Sequence, residues 1–244
     1  MKIISLNTWG GRVKEPFIDF VKKYNNTDIF CFQEIYDNAE EIMKRHYPED
    51  SFNIFSELKE LLPNHNGFFR PVLQGVYGLA IFIKKEILLL EEGEIFIHRS
   101  DSKLVTDGHH SRNLQWVKFS FKNELFTVMN VHGLWNGKGK TDTPERIAQS
   151  NLIKEFVNKA EGKKILVGDF NLNPDTESVR ILAKDMKNLI EEYSIVSTRT
   201  SLYKRPGKFA DYIFVSPDVD VNNFTVLPDE VSDHAALSLE LKLV

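Results

Sequence analysis

Acids, amides and imidazoles recur in this chain at one kind of place, where an apolar run stops or starts. Ile3-Ile4-Ser5-Leu6 ends at Asn7, and Ile29-Phe30-Cys31-Phe32 ends at Gln33-Glu34. Phe126 to Met129 leads to Asn130 and His132, and Ile165-Leu166-Val167 leads to Gly168-Asp169-Phe170-Asn171. Two further clusters invert the order: Asp211 opens Tyr212-Ile213-Phe214-Val215, and Ser232-Asp233-His234 opens Ala235-Ala236-Leu237. These side chains hold metals, move protons and contact phosphates. In an antiparallel sheet the end of one strand lies beside the start of the next, so all six clusters can share one rim.

Glu34 is a hard oxygen ligand of the kind Mg²⁺ prefers, and Mg²⁺ needs one or two carboxylates beside waters and substrate oxygens. Asp169 and Asn171, two residues apart after a strand, point the same way, while Gly168 permits a close backbone approach. Asp233 and His234 set a carboxylate and an imidazole side by side, and Asp211 can fix the tautomer of His234 by accepting a ring N–H. His132 is a second imidazole in a similar setting, and Arg112 can clamp a phosphate bidentately. Each also has a plainer reading alone: Glu34 and Arg112 as surface residues, Asn7 as a turn former before Trp9-Gly10-Gly11, and Asp169 to Asn171 as a turn before Asn173-Pro174. His46, His65, His98, His109 and His110 sit in polar or helix-end contexts and are expected to face solvent.

Helical spacing predicts helices over Glu15 to Tyr24, Asn38 to His46, Ser51 to Leu62 and Thr143 to Asn158, the last with Thr143 as N-cap and Pro144 at its first position. Leu237, Leu239, Leu241 and Leu243 alternate with Ser238, Glu240, Lys242 and Val244, one face apolar and the other mostly wet. Trp116 to Phe121 alternates likewise, and Leu79 to Ile83 is continuously apolar. The early elements run β-α-β, and then strands follow strands. An α/β fold of two mixed sheets packed face to face, with helices outside, suits that order.

The 244 residues are 42% hydrophobic and 27% charged, and no repeat or linker divides them, so one domain over residues 1–244 is expected. No leader pattern or run of roughly 18 apolar residues occurs, which points to a cytoplasmic chain without a membrane span. Cys31, the lone cysteine, falls inside an apolar run and reads as a buried structural thiol. A net charge of −4 argues against a protein built to coat long nucleic acids. The cations are local: Arg199, Lys204, Arg205 and Lys208 precede Asp211 without an acid among them, and Lys138 and Lys140 follow His132. Both stretches are expected to border the same pocket, or else to be solvated loops.

Taken in order, Leu-Asn-Thr-Trp, Gln-Glu, Asn-Val-His-Gly, Gly-Asp-Phe-Asn-Leu-Asn-Pro, Asp-Tyr-Ile-Phe and Ser-Asp-His make the chain resemble the endonuclease/exonuclease/phosphatase family from residue 3 to residue 243. The resemblance implies a four-layered α-β-β-α sandwich, its two mixed sheets mostly antiparallel, and hydrolysis of a phosphate ester with Mg²⁺ or Mn²⁺. It further implies that Asn7, Glu34 and Asp233 hold the metal, that Asp169 activates water, and that Asn171 and His132 contact the phosphate. His234, oriented by Asp211, would stabilise charge or assist proton transfer, with Arg112 and Asn130 on the substrate. Abasic-site endonucleases carry an aspartate where this chain has Trp9 and a tyrosine where it has His132. The pattern is closer to the deoxyribonuclease, sphingomyelinase and tyrosyl-DNA phosphodiesterase branches. The expected substrate is therefore a phosphodiester, with nucleic acid among the candidates. A phosphomonoester of a small metabolite such as an inositol phosphate is the alternative, and a non-catalytic binding scaffold on the same fold is a third.

Overall fold

The computed structural model describes residues 1–102 and 108–242. Its strands are β1 (Lys2–Asn7), β2 (Ile29–Tyr36), β3 (His65–Leu73), β4 (Tyr77–Lys84), β5 (Leu88–His98), β6 (Arg112–Phe121), β7 (Glu124–His132), β8 (Lys163–Asp169), β9 (Lys187–Asn188), β10 (Asp211–Val215), β11 (Val221–Val226) and β12 (Leu237–Leu241). Six α-helices intervene among the described residues: α1 (Lys14–Lys23), α2 (Glu40–Met43), α3 (Ile54–Leu61), α4 (Pro144–Lys159), α5 (Glu177–Ala183) and α6 (Leu189–Glu192). The strands form two six-stranded sheets, ordered β11-β12-β1-β2-β4-β3 and β5-β6-β7-β8-β10-β9. This is the expected α/β sandwich of two mixed sheets with helices.

The apolar runs are continuous because both faces of the central strands are covered. Ile3, Ile29, Cys31, Ile81 and Ile83 point between the sheets and meet Val117, Phe119, Val128 and Leu166. Their strand neighbours Ile4, Leu6, Phe30, Phe32 and Phe82 point outward onto Phe17, Phe20 and Val21 of α1 and Ile54, Phe55 and Leu58 of α3. On the second sheet Ile153 and Val157 of α4 and Val179 and Leu182 of α5 join the core. Cys31 is fully buried there.

Element limits differ from expectation where tertiary contacts intervene. The helix expected over Asn38 to His46 contracts to α2, ending ahead of Tyr47, which precedes Pro48 and is disfavoured from helical geometry by it. The helix expected from Ser51 begins at Ile54, because the Ser51 amide donates to the Gly10 carbonyl at 2.8 Å and its hydroxyl to Gly11. Thr143 caps α4 as expected, its hydroxyl accepting the Arg146 amide. In β12 Leu237, Leu239 and Leu241 are buried, but so is Ser238, pressed between neighbouring strands; Leu243 and Val244 lie outside the described residues.

Two histidines are corrected. His65 is buried, its Nε2 2.8 Å from the Thr27 carbonyl, and His110 is buried against the Tyr77 ring at 5.3 Å. Sequence context gave each a polar neighbourhood, but β3 and the segment before β6 turn both rings inward.

Candidate active site

What gathers the six clusters is less the antiparallel geometry expected than two parallel pairs. In β1–β2, Asn7 stands opposite Gln33, and in β7–β8, His132 stands opposite Asp169, so both sheets deliver strand ends to one rim. Antiparallel β10 then sets Asp211 beside Asp169, and a bridge joins Arg199 to His234. Local backbone aims the side chains. The β2–β4 register shifts between Phe32 and Ile35, and at that irregularity Glu34 takes a left-handed φ of 58°. Trp9 and Asn171 are left-handed too, at 54° and 55°, conformations that cost free energy and concentrate at functional sites. Gly168 is required: a Cβ there would sit 2.0 Å from the Val131 carbonyl oxygen, across the parallel pair.

Asp169 is the centre. Its Oδ2 accepts the Asn7 amide nitrogen at 2.9 Å across the two sheets, and its Oδ1 accepts the Asn171 backbone N–H at 2.8 Å. His234 Nε2 stands 3.6 Å and His132 Nε2 3.8 Å from the same Oδ2. Asn7 also donates to Glu34 Oε1 at 2.9 Å, and His132 lies 3.7 Å from that oxygen. The Asn7 oxygen is taken by the Trp9 amide at 2.9 Å. Asn7 thus spaces two carboxylates at the centre of the site.

His234 and Asp211 form the expected pair. Both Asp211 oxygens lie 2.8 and 2.9 Å from His234 Nδ1, and Thr198 donates its hydroxyl to Asp211 at 3.1 Å. That leaves Nε2 facing Asp169 and Asp233. Burial opposes charge on both partners, raising the Asp211 carboxyl and lowering the His234 imidazole. His132 is held well below the usual histidine range by burial and then by Arg112, so it is neutral.

A divalent cation fits this donor set. Glu34, His132 and Asp169 offer ligand atoms within 4.8 Å of one another, and so do Asp169, Asp211 and His234. Burial, with Asp233 and Asp169 adding repulsion, pushes the Glu34 carboxyl up to about 7, the mark of crowded carboxylates that a cation would relieve. Asp233 stands outside both groups. One of its oxygens is 3.5 Å from Arg199 Nη1, and the other, buried, has no hydrogen-bond partner among the described residues.

The strand ends floor a cavity of about 590 Å³. Arg112 lines it, 3% exposed, with Nε and Nη1 lacking hydrogen-bond partners among the described residues and Nη2 on the Gly108 carbonyl. One wall is Trp9, Arg12 and Tyr47, the guanidinium between the two rings at 5.0 and 5.6 Å and held by Asp50 at 2.6 Å. Another is Lys140, Arg199, Leu202 and Tyr203, with Lys204 and Arg205; Lys138 and Lys208 of the same basic stretches are exposed and do not line it. His110, Tyr77 and Trp135 also line it and were missed from sequence; the sole signal was the pair His109-His110 just ahead of Arg112.

Asn130 is corrected. It is fully buried beneath the cavity, accepting from Gln33 Nε2 at 2.7 Å and donating to the Phe32 and Ala80 carbonyls. It pins one sheet to the other and does not line the cavity.

A model of the Endonuclease/Exonuclease/phosphatase family matches residues 4–234. No curated protein matches the chain. Among solved structures, the mannosyl-6-phosphatase of Bacteroides thetaiotaomicron superposes with a TM-score of 0.75 at 21% identity, over 100% of both chains. A humanised Danio rerio TDP2 superposes at 0.73 and 16% identity, over 100% of this chain and 99% of that one. Truncated Caenorhabditis elegans TDP2 does so at 0.71 and 18%, over 98% and 96%. At these identities the likeness is one of fold.

Proposed function

The chain belongs to the endonuclease/exonuclease/phosphatase family, whose members hydrolyse phosphate esters, and from that premise we propose that it is a Mg²⁺- or Mn²⁺-dependent phosphodiesterase. The observation that carries the reading is the position of Asp169: one carboxylate oxygen within 4 Å of Asn7, His132 and His234, in a cavity also lined by Arg112, two of whose nitrogens have no hydrogen-bond partner among the described residues.

Asp169 orients a water and takes its proton as that water attacks phosphorus. Arg112, through Nε and Nη1, and Asn171 hold the non-bridging oxygens. His132, neutral at its depressed pKa, donates or accepts at the phosphate without adding charge. His234, its ring fixed by Asp211 through Nδ1, faces Asp169 with Nε2 at 3.6 Å and relays to the leaving oxygen the proton that Asp169 takes from water. Glu34 would hold the cation, with Asp169 and His132 in reach and Asp233 as a further acid; when bound, Mg²⁺ or Mn²⁺ neutralises charge building on the phosphate oxygens.

One observation favours a second reading within the same chemistry. Aromatic and cationic side chains wall the cavity on several sides, which suits a phosphate at the end of a compact substrate, a phosphomonoester, and the Bacteroides structure carries the name of a sugar phosphatase. A metal-supplemented screen separates the two. It compares single-stranded and duplex DNA, RNA, cyclic dinucleotides and sphingomyelin with inositol phosphates and mannose 6-phosphate. Turnover confined to the diesters upholds the first reading, and turnover confined to the monoesters upholds the second. No turnover on any of them, with intact metal binding, leaves the scaffold.

A further inference from the structure

Lys140 and Arg199 come from different segments yet meet at one aromatic ring. The Lys140 ammonium lies 5.4 Å and the Arg199 guanidinium 4.1 Å from the centroid of Tyr203. Both cations are buried: Lys140 is 8% exposed, and the Arg199 side chain 7%. Burying a cation is unfavourable unless it is paired and hydrogen-bonded. Here the pairing is incomplete, since Arg199 Nη1 reaches Asp233 only at 3.5 Å and its buried Nε has no hydrogen-bond partner among the described residues. Lys140 gives one N–H to the Phe209 carbonyl at 2.8 Å and has no ion pair within 4 Å among the described residues. Burial accordingly lowers its pKa to about 8.

This cluster is separate from Arg112. Arg112 opens β6, whereas Arg199 precedes β10 and bridges to His234. Arg112 thus belongs to the second sheet, whereas Arg199 pairs with His234, which leads into β12 of the first. His234, the bridging partner of Arg199, stands 3.6 Å from Asp169 on β8. Arg112 and the Tyr203 cluster line the same cavity, so a substrate whose scissile phosphate is held by Arg112 also has the Lys140 and Arg199 cations within that cavity.

We propose that Lys140, Arg199 and Tyr203 form a second anion subsite, which takes a further anionic group carried by the substrate beside the scissile phosphate. The inference rests on the phosphate-ester reading and narrows it to esters with two neighbouring anionic groups, such as a bisphosphate. The Tyr203 ring keeps the two cations aligned by cation–π attraction and shields them from water, which strengthens charge-assisted hydrogen bonds to the incoming group.

Binding of inorganic phosphate and of pyrophosphate to the full chain, measured by calorimetry in chelator-treated buffer so that no metal complexes either anion, tests this. Pyrophosphate should bind at least about tenfold more tightly than phosphate, the scale of a charge-assisted contact. Arg199→Gln should abolish that advantage while leaving phosphate affinity within about twofold, and Lys140→Gln, a second route should the first variant fold poorly, should reduce it in the same selective way. Equal binding of the two anions by the parent chain overturns the subsite. So does a proportional loss of both anions in Arg199→Gln, because that residue would then serve the scissile phosphate. Arg112→Gln tests the underlying reading separately: it should weaken both anions alike, and undiminished phosphate binding would remove the phosphate site from Arg112 whatever Arg199 does.

Discussion

Asp169→Asn separates the chemistry assigned to this carboxylate from its part in the fold, because the substitution preserves shape and removes charge. The oxygen that accepts the Asn171 amide at 2.8 Å survives in asparagine. The other, which accepts the Asn7 amide nitrogen at 2.9 Å, becomes a donor facing a donor, costing about 1–3 kcal/mol for a lost hydrogen bond to a charged group. Against this, Asp169 is one of the acids that raise the Glu34 carboxyl, and removing its charge relieves that repulsion. The two effects oppose one another, so the net change in stability should be on the order of 1 kcal/mol, a Tm shift of about 2–4 °C for a chain of this size. Turnover has no such compensation: loss of a positioned general base lowers kcat by on the order of 10² or more. Thermal unfolding should therefore be nearly unchanged while kcat at saturating substrate collapses across a Mn²⁺ titration. Retention of more than about a tenth of the turnover would refute the role. Recovery at high metal would make Asp169 a ligand instead of a base.

Glu34→Ala should remove most divalent-cation affinity with the fold retained, which calorimetry with Mn²⁺ checks; unchanged affinity would dismiss Glu34 as the anchoring ligand. His234→Ala should lower kcat far more than it raises KM, and Asp211→Ala should imitate it in part, since Asp211 acts through the 2.8 Å contact to Nδ1. Lys204→Ala/Arg205→Ala, altering exposed cations at the cavity edge, should impair cleavage of an oligonucleotide much more than of a small chromogenic phosphodiester; no effect on either favours the small-molecule reading. Away from the site, burial lowers the His65 pKa below 6.5, so the unfolded chain binds the proton more readily than the folded one. Stability should fall as pH drops through 6.5, and His65→Asn should flatten that slope in denaturant titrations from pH 7.5 to 5.

The fold was legible because its signal is repeated. Runs such as Ile3 to Leu6 and Ile29 to Phe32 are apolar on both faces, as strands covered on both sides must be, and Thr143-Pro144 marks a helix start by local chemistry alone. Helix limits near Asn38 and Ser51 were not legible, because they are decided by Pro48 and by the Ser51 contact to Gly10, a residue 41 positions earlier. The parallel pairing of β1 with β2 and β7 with β8 was equally hidden, since an apolar run does not declare the direction of its neighbour. Of the cavity, the strand-end floor could be read from sequence. Of the walls, the basic stretches supplying Lys140, Arg199, Lys204 and Arg205 were legible too, but Arg12, Tyr47, Trp135 and Tyr203 were not, since they come from loops whose residue types look like any solvated segment.

Asn130 shows where such reading fails for a physical reason. Residues two apart on a strand share a face, so Asn130 and His132 both point between the sheets, but they differ in depth by about 6.6 Å at 3.3 Å per residue. His132 is at the last position of β7 and its ring reaches Glu34 and Asp169. One step deeper there is no room for substrate, and a buried amide is tolerated only if hydrogen-bonded, a condition Asn130 meets with Gln33, Phe32 and Ala80. A polar residue at the end of an apolar run is thus a site residue or a clamp between sheets according to one strand step. The same step sorts Gln33, buried on Asn130, from Glu34, which the left-handed turn of β2 lifts into the cavity.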